Sequence, residues 1–560
     1  MKMKNIYKTI IALALGLGGF FQSCSEADSD VVAFVEDNRL DSPNDTVYSL
    51  MGIINKMQVI ADRTILLGEL RGDLTSLTDH ATLDLQDIAN FKADVTNPYN
   101  RARDYYAVIQ NCNYFLANAD TLLAKRGYKV FEKEYAAVKA YRAWTYLQLA
   151  INYGSVPFFT EPILAEKNAD PSLYPHYDVK QIANYFIKDL QPYMDTNYPS
   201  YGDINGQASA NFYIPVRVLL GDLCLWAERY TEAAQYYHDF LTKQGNTRPT
   251  GVARIEWADR DFETLFDNYA SQSTSSSEIL TFIPMEASEY DGIISHLDDV
   301  FNSTEDNNYY YQATHSTAYD EISRAQRYVG LFTNPLTQMP DTLTYPEDMA
   351  YPTEALRGDL RQYSIYPPLR SVPSSSSTYS SLRQTCQKYR DSNSVSIYRL
   401  QHVYLRYAEA LNRAGFPESA FAVLKHGIWY QTVEKYISEK ERAAAGNLIS
   451  FSEYTFTREN TRGIHSRGSG SSEADTLYVI PELPSAADSI LYVEDRICDE
   501  MALETAAEGL RFPDLMRLSM HRQDPTFLAG KVARRNGSDN YDAALFSFLS
   551  DEKNWYLPLE

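Results

Sequence analysis

Five charged residues near the carboxyl end of the chain have the types and spacing that acid–base chemistry needs. They are Glu500, Glu504, Glu508, Arg511 and Asp514. On one continuous helix they would cover about a third of the circumference. Paired carboxylates serve glycoside hydrolases as general acid and nucleophile. The four-residue spacing is also common on solvated or salt-bridged helix faces, and Gly509 and Pro513 are expected to break the helix. We therefore predict a structural role for this cluster and no catalytic residue.

Other residues that could carry chemistry do not assemble into a site. The nine histidines show no HExxH motif and no close pair on a helix. Asp259 and Asp261 could help to hold Ca²⁺, but their loop lacks the further spaced oxygen ligands and the glycine of such sites. GSGSS at residues 468–472 lacks the strand–turn–helix setting of a nucleophile elbow or a phosphate loop. The sequence predicts no metal and no cofactor.

Tyrosine is the residue type that favours binding. The chain has 44 Tyr, against 24 Phe and 5 Trp. Sugar rings have apolar C–H faces and polar edges, so a glycan site needs aromatic platforms beside planar hydrogen-bonding groups. Tyr309, Tyr310 and Tyr311 follow two asparagines, and Tyr290 precedes them. These tyrosines are candidate ligand-binding residues, with a strand face or a loop plug as the alternative.

The elements that must position these residues are mainly helices. Apolar residues three or four apart from Asp45 to Ile60 predict one amphipathic helix. Asn97 and Pro98 have the types of an N-cap and a first helical residue, and predict the start of a second helix. Residues 131–153 are apolar on nearly all sides, which predicts a buried helix that ends at Gly154.

Two later stretches align without a gap, at residues 219–237 and 406–424. Small residues recur in both at the spacing that lets two antiparallel helices approach closely, as in tetratricopeptide repeats. Between the helical stretches lie polar inserts rich in Ser, Thr, Asn and Tyr, at about residues 242–380 and 457–475. Long loops of this kind tend to be functional or disordered. The expected fold is mainly α: tetratricopeptide-like helix pairs form one scaffold, and the inserts are loops on that scaffold.

The overall charge limits the class of partner. The formal net charge is -23. Removal of the first 23 residues, with their three lysines, makes it -26. Such a surface repels nucleic acid and anionic lipid, so we expect no nucleic-acid partner. A neutral or cationic ligand suits it.

The amino terminus predicts export. MKMKNIYK is a basic segment, TIIALALGLGGFF is an apolar segment too short to be a stable membrane span, and Ser23 and Cys24 follow. A cysteine in this place resembles the lipobox of bacterial lipoproteins, and the acidic SEADSD resembles the tag that directs lipoproteins of the Bacteroidetes to the outer face of the outer membrane. We predict a signal peptide at residues 1–23, lipid attachment at Cys24 and a lipid-anchored location on the cell exterior. The other four cysteines are far apart, and we expect free, mostly buried thiols.

A set of motifs in a fixed order resembles the SusD/RagB family of outer-membrane nutrient-binding lipoproteins. The motifs are ELRGD (69–73), YNRARDYYAVIQNCNYFL (99–116), EYAAVKAYRAWTYLQLAINYGSVPF (134–158), EILTFIP (278–284), RGDLR (357–361), YLRYAEALNRAG (404–415) and DEMALETAAEGLRFPDLMR (499–517). The resemblance covers nearly the whole chain and implies one domain over residues 24–560. In this domain tetratricopeptide-like helix pairs form one side, and a loop-rich, mostly irregular side carries the ligand site. It also implies that the EGxRxxDLxR signature at residues 508–517 forms a structural ion network under the helix pairs.

The resemblance further implies a function and a partner. Proteins of this kind capture oligosaccharides, or peptides in some members, and deliver them to a SusC-like TonB-dependent transporter. Ligand contacts in the amino-terminal region make Arg71, Asp73, Asn97, Tyr99 and Asn100 candidate binding residues, with turn or capping roles as the alternative. The expected function is glycan binding without catalysis. The alternatives are a peptide receptor, a glycoside hydrolase and a structural helix-repeat adaptor.

Overall fold

The computed structural model describes residues 43–242, 278–305, 307–334, 336–345, 358–367, 369–373, 380–390, 393–452 and 462–559. The expected signal peptide, Cys24, Asp259 and Asp261 lie outside the described residues. Parts of both polar inserts also lie outside them.

The described chain is mainly helical, which confirms the predicted fold class. In chain order the helices are α1 (Pro43–Leu70), α2 (Leu83–Ala89), α3 (Ala102–Asn118), α4 (Glu132–Tyr153), α5 (Val179–Leu190), α6 (Val216–Trp226), α7 (Tyr230–Thr242), α8 (Leu297–Phe301), α9 (Thr317–Arg324), α10 (Arg361–Ile365), α11 (Leu400–Arg413), α12 (Pro417–Lys425), α13 (Tyr430–Tyr436), α14 (Glu439–Ala445), α15 (Ser466–Ser469), α16 (Ala486–Thr505), α17 (Arg511–Arg522), α18 (Pro525–Val532) and α19 (Ala543–Leu549).

The strands are short, and each described strand pairs antiparallel with one other. In chain order they are β1 (Thr75–Leu77), β2 (Ala124–Lys125), β3 (Tyr128–Lys129), β4 (Val156–Pro157), β5 (His176–Tyr177), β6 (Asp203–Ile204), β7 (Gln207–Ala208), β8 (Ile279–Pro284), β9 (Ala313–His315), β10 (Tyr328–Thr333), β11 (Pro340–Tyr345), β12 (Arg370–Pro373), β13 (Ser380–Arg383) and β14 (Ser394–Arg399). Two pairs join distant parts of the chain, β1 with β9 and β8 with β14. The other pairs are local hairpins.

Helices that follow one another in the chain pack side by side and form the scaffold. Helix α3 packs on α4, α4 on α5, α5 on α6 and α6 on α7; α7 then contacts α11, which packs on α12 and α16. In the α6–α7 pair, a Cβ on Gly221 would lie 2.5 Å from the ring of Tyr237. The predicted close approach of two helices at a small residue is therefore confirmed.

Helix α4 is buried on nearly all sides, as its sequence predicts. Its polar residues Lys139 and Arg142 are also buried, and both pair with Asp189 of α5. The helix ends at Gly154, whose φ of +76° places it in the left-handed region that favours glycine. The ring of Tyr556 packs 3.1 Å from where a Cβ of Gly154 would be, so the end of the helix is also a place of close packing.

The predicted start of α3 at Asn97 and Pro98 is wrong. The side-chain oxygen of Asn97 accepts a hydrogen bond from the backbone N–H of Tyr99, and Asn100 N–H bonds to the carbonyl of Asn97. These bonds close a turn, and the helix begins at Ala102. A side chain that can cap a helix can also cap a turn, and the sequence pattern does not distinguish the two.

Hairpins, short helices and irregular segments make up the side of the molecule that comes from the first polar insert. The buried apolar residues form one cluster that extends from Leu50 to Leu557. Within the described residues the four cysteines, Cys112, Cys224, Cys386 and Cys498, are buried free thiols, as expected. Over the same residues, no helix combines the length and the apolar character of a membrane span.

Candidate functional site

The three glutamates that could carry acid–base chemistry are buried and bonded to cations. We call this cluster the buried ion network; it comprises Glu500, Glu504 and Glu508 with their partners Arg361, Lys388, Arg399, His402, His465 and Arg467. Glu500 lies 2.7 Å from Arg361 Nη2 and 2.5 Å from His465 Nδ1. Glu504 lies 3.1 Å from Arg399 Nη1. Glu508 pairs with Lys388, and with Arg399 at 2.6 Å.

The charge states of Glu500 and Glu508 also argue against a role as general acid. Burial would raise the pKa of Glu500, but Arg361 and His465 outweigh burial and lower that pKa to about 2. Burial opposes ionisation of Glu508 in the same way, and Arg399 and Lys388 hold the pKa of Glu508 well below its usual range. Neither group has a proton to give at neutral pH, and neither reaches solvent. In the signature at residues 508–517, Arg511 also pairs with Asp73, and Arg517 pairs with Glu409 and Asp514. The predicted structural ion network is therefore confirmed.

The helix break beside this network lies at Gly509 and not at Pro513. Helix α16 ends at Thr505, and Gly509 has a φ of +74°. Pro513 lies in the first turn of α17, where a missing N–H leaves no intrahelical bond unmade. The expectation that Pro513 interrupts a helix is therefore wrong.

Arg71 and Asp73, predicted as ligand contacts, are structural. The Arg71 side chain is buried and donates hydrogen bonds to the carbonyls of Leu67 and Trp555 and to the side chain of Asn152. Asp73 is buried and accepts two hydrogen bonds from Arg511, at 2.6 and 2.9 Å. These bonds tie the end of α1 to the carboxyl-terminal part of the chain. The prediction failed because a buried ion pair and a ligand site use the same residue types.

The predicted ligand contacts at residues 97–100 are also internal. Asn100 is fully buried and donates to the carbonyls of Asp94 and Pro558. Asn97 is buried and donates to the carbonyl of Asp84. Tyr99 is half-buried and packs against the apolar core. The turn role, which the sequence left open, is the one that the structure shows.

Tyr309, Tyr310 and Tyr311 line an open groove with residues from the segment after β1. We call it the tyrosine groove; the other described lining residues are Thr78, Asp79, His80 and Asn308. Its volume is about 470 Å³. Tyr310 is 55% exposed, and the other two tyrosines are half-buried. The structure brings the three predicted tyrosines to one surface site.

Backbone pairing and a tight turn hold this groove in shape. Strand β1 pairs with β9, and the N–H of Thr78 continues the pairing to the carbonyl of Gln312. The Thr78 hydroxyl donates to the carbonyl of Tyr311 at 2.7 Å. Asn307 donates to the carbonyls of Asp299 and Asn302 and so closes the turn from below. Asn307 is therefore a structural residue.

Each of two groove tyrosines has a partner on one face of its ring. The ring of His80 stacks on Tyr310, with centroids 4.2 Å apart and planes inclined by 26°. The Arg383 guanidinium carbon lies 3.8 Å from the ring centroid of Tyr309. The Tyr309 hydroxyl donates to Glu305 at 3.0 Å. The rings are thus held in fixed orientations, as a stacking platform requires.

The sequence analysis missed His80, which lines the groove, and Arg383, which packs on Tyr309. They lie about 230 and 70 residues away from the tyrosines in the sequence. The β1–β9 pairing brings His80 to the tyrosines, and the hydrogen bonds of Gln384 bring Arg383.

Tyr290 was predicted from the sequence to join the other three tyrosines, but it lies elsewhere. It is 97% exposed, but it is not among the described residues that line the tyrosine groove.

Tyr290 belongs to a different surface. Its neighbours Ala287 and Asp291 line a second groove between α1 and the end of β8, together with amides such as Asn55 and Asn205.

Across the described part of the chain, no group of three or more His, Cys, Asp or Glu side chains could hold a metal ion.

Comparisons with known proteins place these observations in a family. Residues 227–560 match the SusD family. A search of curated proteins found no match. A SusD superfamily protein from Bacteroides thetaiotaomicron is 15% identical with a TM-score of 0.56, and the match covers 90% of this chain and 93% of that one.

Two structures from Bacteroides vulgatus are also similar. A SusD superfamily protein is 12% identical with a TM-score of 0.57, over 93% of this chain and 96% of that one. A SusD-like carbohydrate binding protein is 14% identical with a TM-score of 0.53, over 85% of this chain and 84% of that one. At such identities these structures show a shared fold alone. Because the family match spans more than half of the sequence, this chain belongs to the SusD family.

Proposed function

We propose that this protein binds oligosaccharides in the tyrosine groove, on the outside of the cell, and passes them to a TonB-dependent transporter. Membership of the SusD family and the similarity to a SusD-like carbohydrate binding protein support a glycan ligand. The observation that carries the proposal is the exposed Tyr310, held by its stack on His80 beside two further tyrosines.

The groove offers both kinds of contact that a sugar ring needs. The C–H face of a pyranose packs on an exposed aromatic ring, and its hydroxyls bond to planar polar groups at the edge. Tyr310 supplies the ring, and Asp79 and Asn308 are exposed polar groups on the groove wall. The turn and the β1–β9 pairing already fix these positions. Binding therefore orders few further side chains, and its entropy cost is small.

We further propose that binding is the whole activity. A glycosidase needs two accessible carboxyls, one of them able to donate a proton. Glu500, Glu504 and Glu508 are buried in ion pairs, and none of them lines the tyrosine groove. Release of sugar from any glycan by the purified protein would contradict this.

The cellular setting follows from the family resemblance and the amino-terminal sequence. A diacylglycerol on Cys24 would anchor the protein to the outer face of the outer membrane, where the SusC-like barrel is its partner. The helix pairs would supply the rigid surface that contacts this barrel. Radiolabelled palmitate incorporation that disappears in Cys24→Ala tests the anchor, and co-purification with a barrel protein from membranes tests the partner.

A peptide is the second candidate ligand. The net charge of -23 and the exposed Asp79 in the groove favour a cationic peptide over an uncharged one. A glycan array and a peptide array probed with the same protein distinguish the two.

The decisive test combines the glycan array with single substitutions. Tyr310→Ala should weaken binding of the best glycan about tenfold, because it removes the exposed platform. Tyr128→Ala is the matched control, since Tyr128 is 80% exposed but lies in the β2–β3 hairpin outside the groove. If Tyr310→Ala binds the glycan with unchanged affinity, the ligand does not bind in this groove.

A further inference from the structure

Arg383 is a cation at the tyrosine groove that has no acidic partner among the described residues. Its guanidinium lies on the ring of Tyr309, and its buried Nε has no hydrogen-bond acceptor in the part of the chain that the structure describes. Acidic residues outnumber Lys and Arg by 74 to 51 in this chain, so a shortage of acids does not explain the missing partner. A buried donor without an acceptor is costly unless something else supplies that acceptor.

The buried ion network shows what arginines in this chain usually do. Arg361 contacts three carboxylates, Arg399 contacts two, and Arg511 makes two hydrogen bonds to Asp73. Arg383 instead lies on an aromatic face at the surface. An arginine stacked on a ring keeps its edge available for a carboxylate or a sulfate, which it can bind through two parallel hydrogen bonds.

The position of Arg383 is fixed relative to the tyrosines. The next residue, Gln384, donates from its side chain to the carbonyls of Phe301 and Ala313, at 2.7 and 2.9 Å. Its backbone N–H donates to Ser303 Oγ, and its side-chain oxygen accepts from Thr314. Gln384 therefore joins the end of β13 to both flanks of the turn that carries the tyrosines.

We propose that the ligand carries an anionic group, either the carboxylate of a uronic acid or a sulfate ester, and that Arg383 binds it. This inference rests on the proposed function, because the sugar ring would lie against the tyrosines beside Arg383. It runs against the bulk charge of -23, but charges beyond about 10 Å are screened at moderate salt, so the nearest cation decides. Asp79 and Glu305 also lie at this site and repel an anion, which leaves the Arg383 side as the place for it.

The test compares acidic and neutral oligosaccharides of equal length in calorimetric titrations of the mature protein. Oligogalacturonate and a sulfated carrageenan oligosaccharide are the two acidic probes, and galacto-oligosaccharide is the neutral one. The wild type should prefer one acidic probe about tenfold, and the preference should shrink at high salt. Whichever acidic probe binds identifies the source of the anion.

Arg383→Gln should abolish this preference, because the affinity for the acidic probe should fall about tenfold more than the affinity for the neutral probe. Arg383→Lys should retain part of the preference, since the charge remains but the two-pronged contact is lost. Arg103→Gln is the matched control, because Arg103 has a side chain 62% exposed and is not among the residues of the groove. Melting temperatures of all variants confirm that they fold.

Two outcomes overturn the inference and differ in what they leave standing. Equal binding of acidic and neutral probes, unaffected by Arg383→Gln, contradicts the anionic ligand and leaves the glycan-binding function intact. Binding of no glycan by the wild type, with retention on the peptide array, contradicts both.

Discussion

The buried ion network and the tyrosine groove contain similar side chains, but they differ in how many bonding partners those side chains have. In the network each carboxylate has at least two cations, and each aromatic neighbour is enclosed. In the groove, one face of each of two rings is covered, and Arg383 has no acidic partner within the described residues. Charged side chains that are fully paired in the interior have a structural role. Side chains at the surface that lack a partner can bind a ligand, which supplies that partner.

The largest expected effect lies in the network. Arg399→Met should destabilise the protein by about 3–5 kcal/mol, because Glu504 and Glu508 would each lose a cation in a buried setting. Chemical denaturation of variant and wild type gives the difference in the free energy of unfolding. Glycan affinity of the folded variant should not change.

An exposed ion pair provides the control for this loss. Arg229 pairs with Glu232, and the two side chains are 33% and 48% exposed. Arg229→Met should cost less than about 1 kcal/mol. Equal losses in the two variants would mean that the network is no more structural than a surface pair.

Glu69 gives a pH-dependent test of the same interior. Its carboxylate is buried and accepts hydrogen bonds from the backbone N–H groups of Glu508 and Gly509. Burial raises the pKa of Glu69 to about 7 in spite of these bonds. A pKa raised in the folded state means that the folded protein binds more protons than the unfolded chain between about pH 4.5 and 7. The contribution of Glu69 to stability is therefore present at low pH and lost as the pH rises through that window.

Glu69→Gln should remove this loss, because glutamine does not titrate. Relative to the wild type, the variant should become more stable by about 2–3 kcal/mol between about pH 5 and pH 8. Unfolding measured at both values gives the change directly. A difference between variant and wild type that stays constant over this range would show that Glu69 does not titrate there.

The scaffold could be predicted because its signals are local. Helix α4 is recognisable from its apolar residues and from Gly154, and the α6–α7 and α11–α12 pairs are recognisable from their small residues. The start of α3 was missed because Asn97 caps a turn, as asparagine does in many loops. Local chemistry determines which segments are helical more reliably than where a helix begins.

The site could be predicted only in part because its signals are not local. The tyrosines were recognisable as a cluster, but His80 and Arg383 reach them through β1–β9 pairing and through the bonds of Gln384. Arg71 and Asp73 were misassigned for the converse reason. Their partners, Trp555 and Arg511, lie more than 400 residues away, so the sequence did not reveal that they were already paired.

Two tyrosines allow the smallest and sharpest test of the contrast between interior and groove. Tyr237 is buried in the α6–α7 pair, and its hydroxyl donates to Asp222 at 2.5 Å. Tyr237→Phe removes that bond, but Asp222 keeps Tyr398 and Arg406, so the loss should be about 1–2 kcal/mol. Tyr310→Ala should change stability by less than about 0.5 kcal/mol although it deletes a whole ring, because that ring is 55% exposed and stacks on the exposed His80. In a binding assay the order of the two effects should be reversed. Tyr310→Ala should lose affinity for the glycan, and Tyr237→Phe should keep it. If Tyr310→Ala is the less stable of the two, the groove tyrosines plug the fold, and the ligand must bind elsewhere.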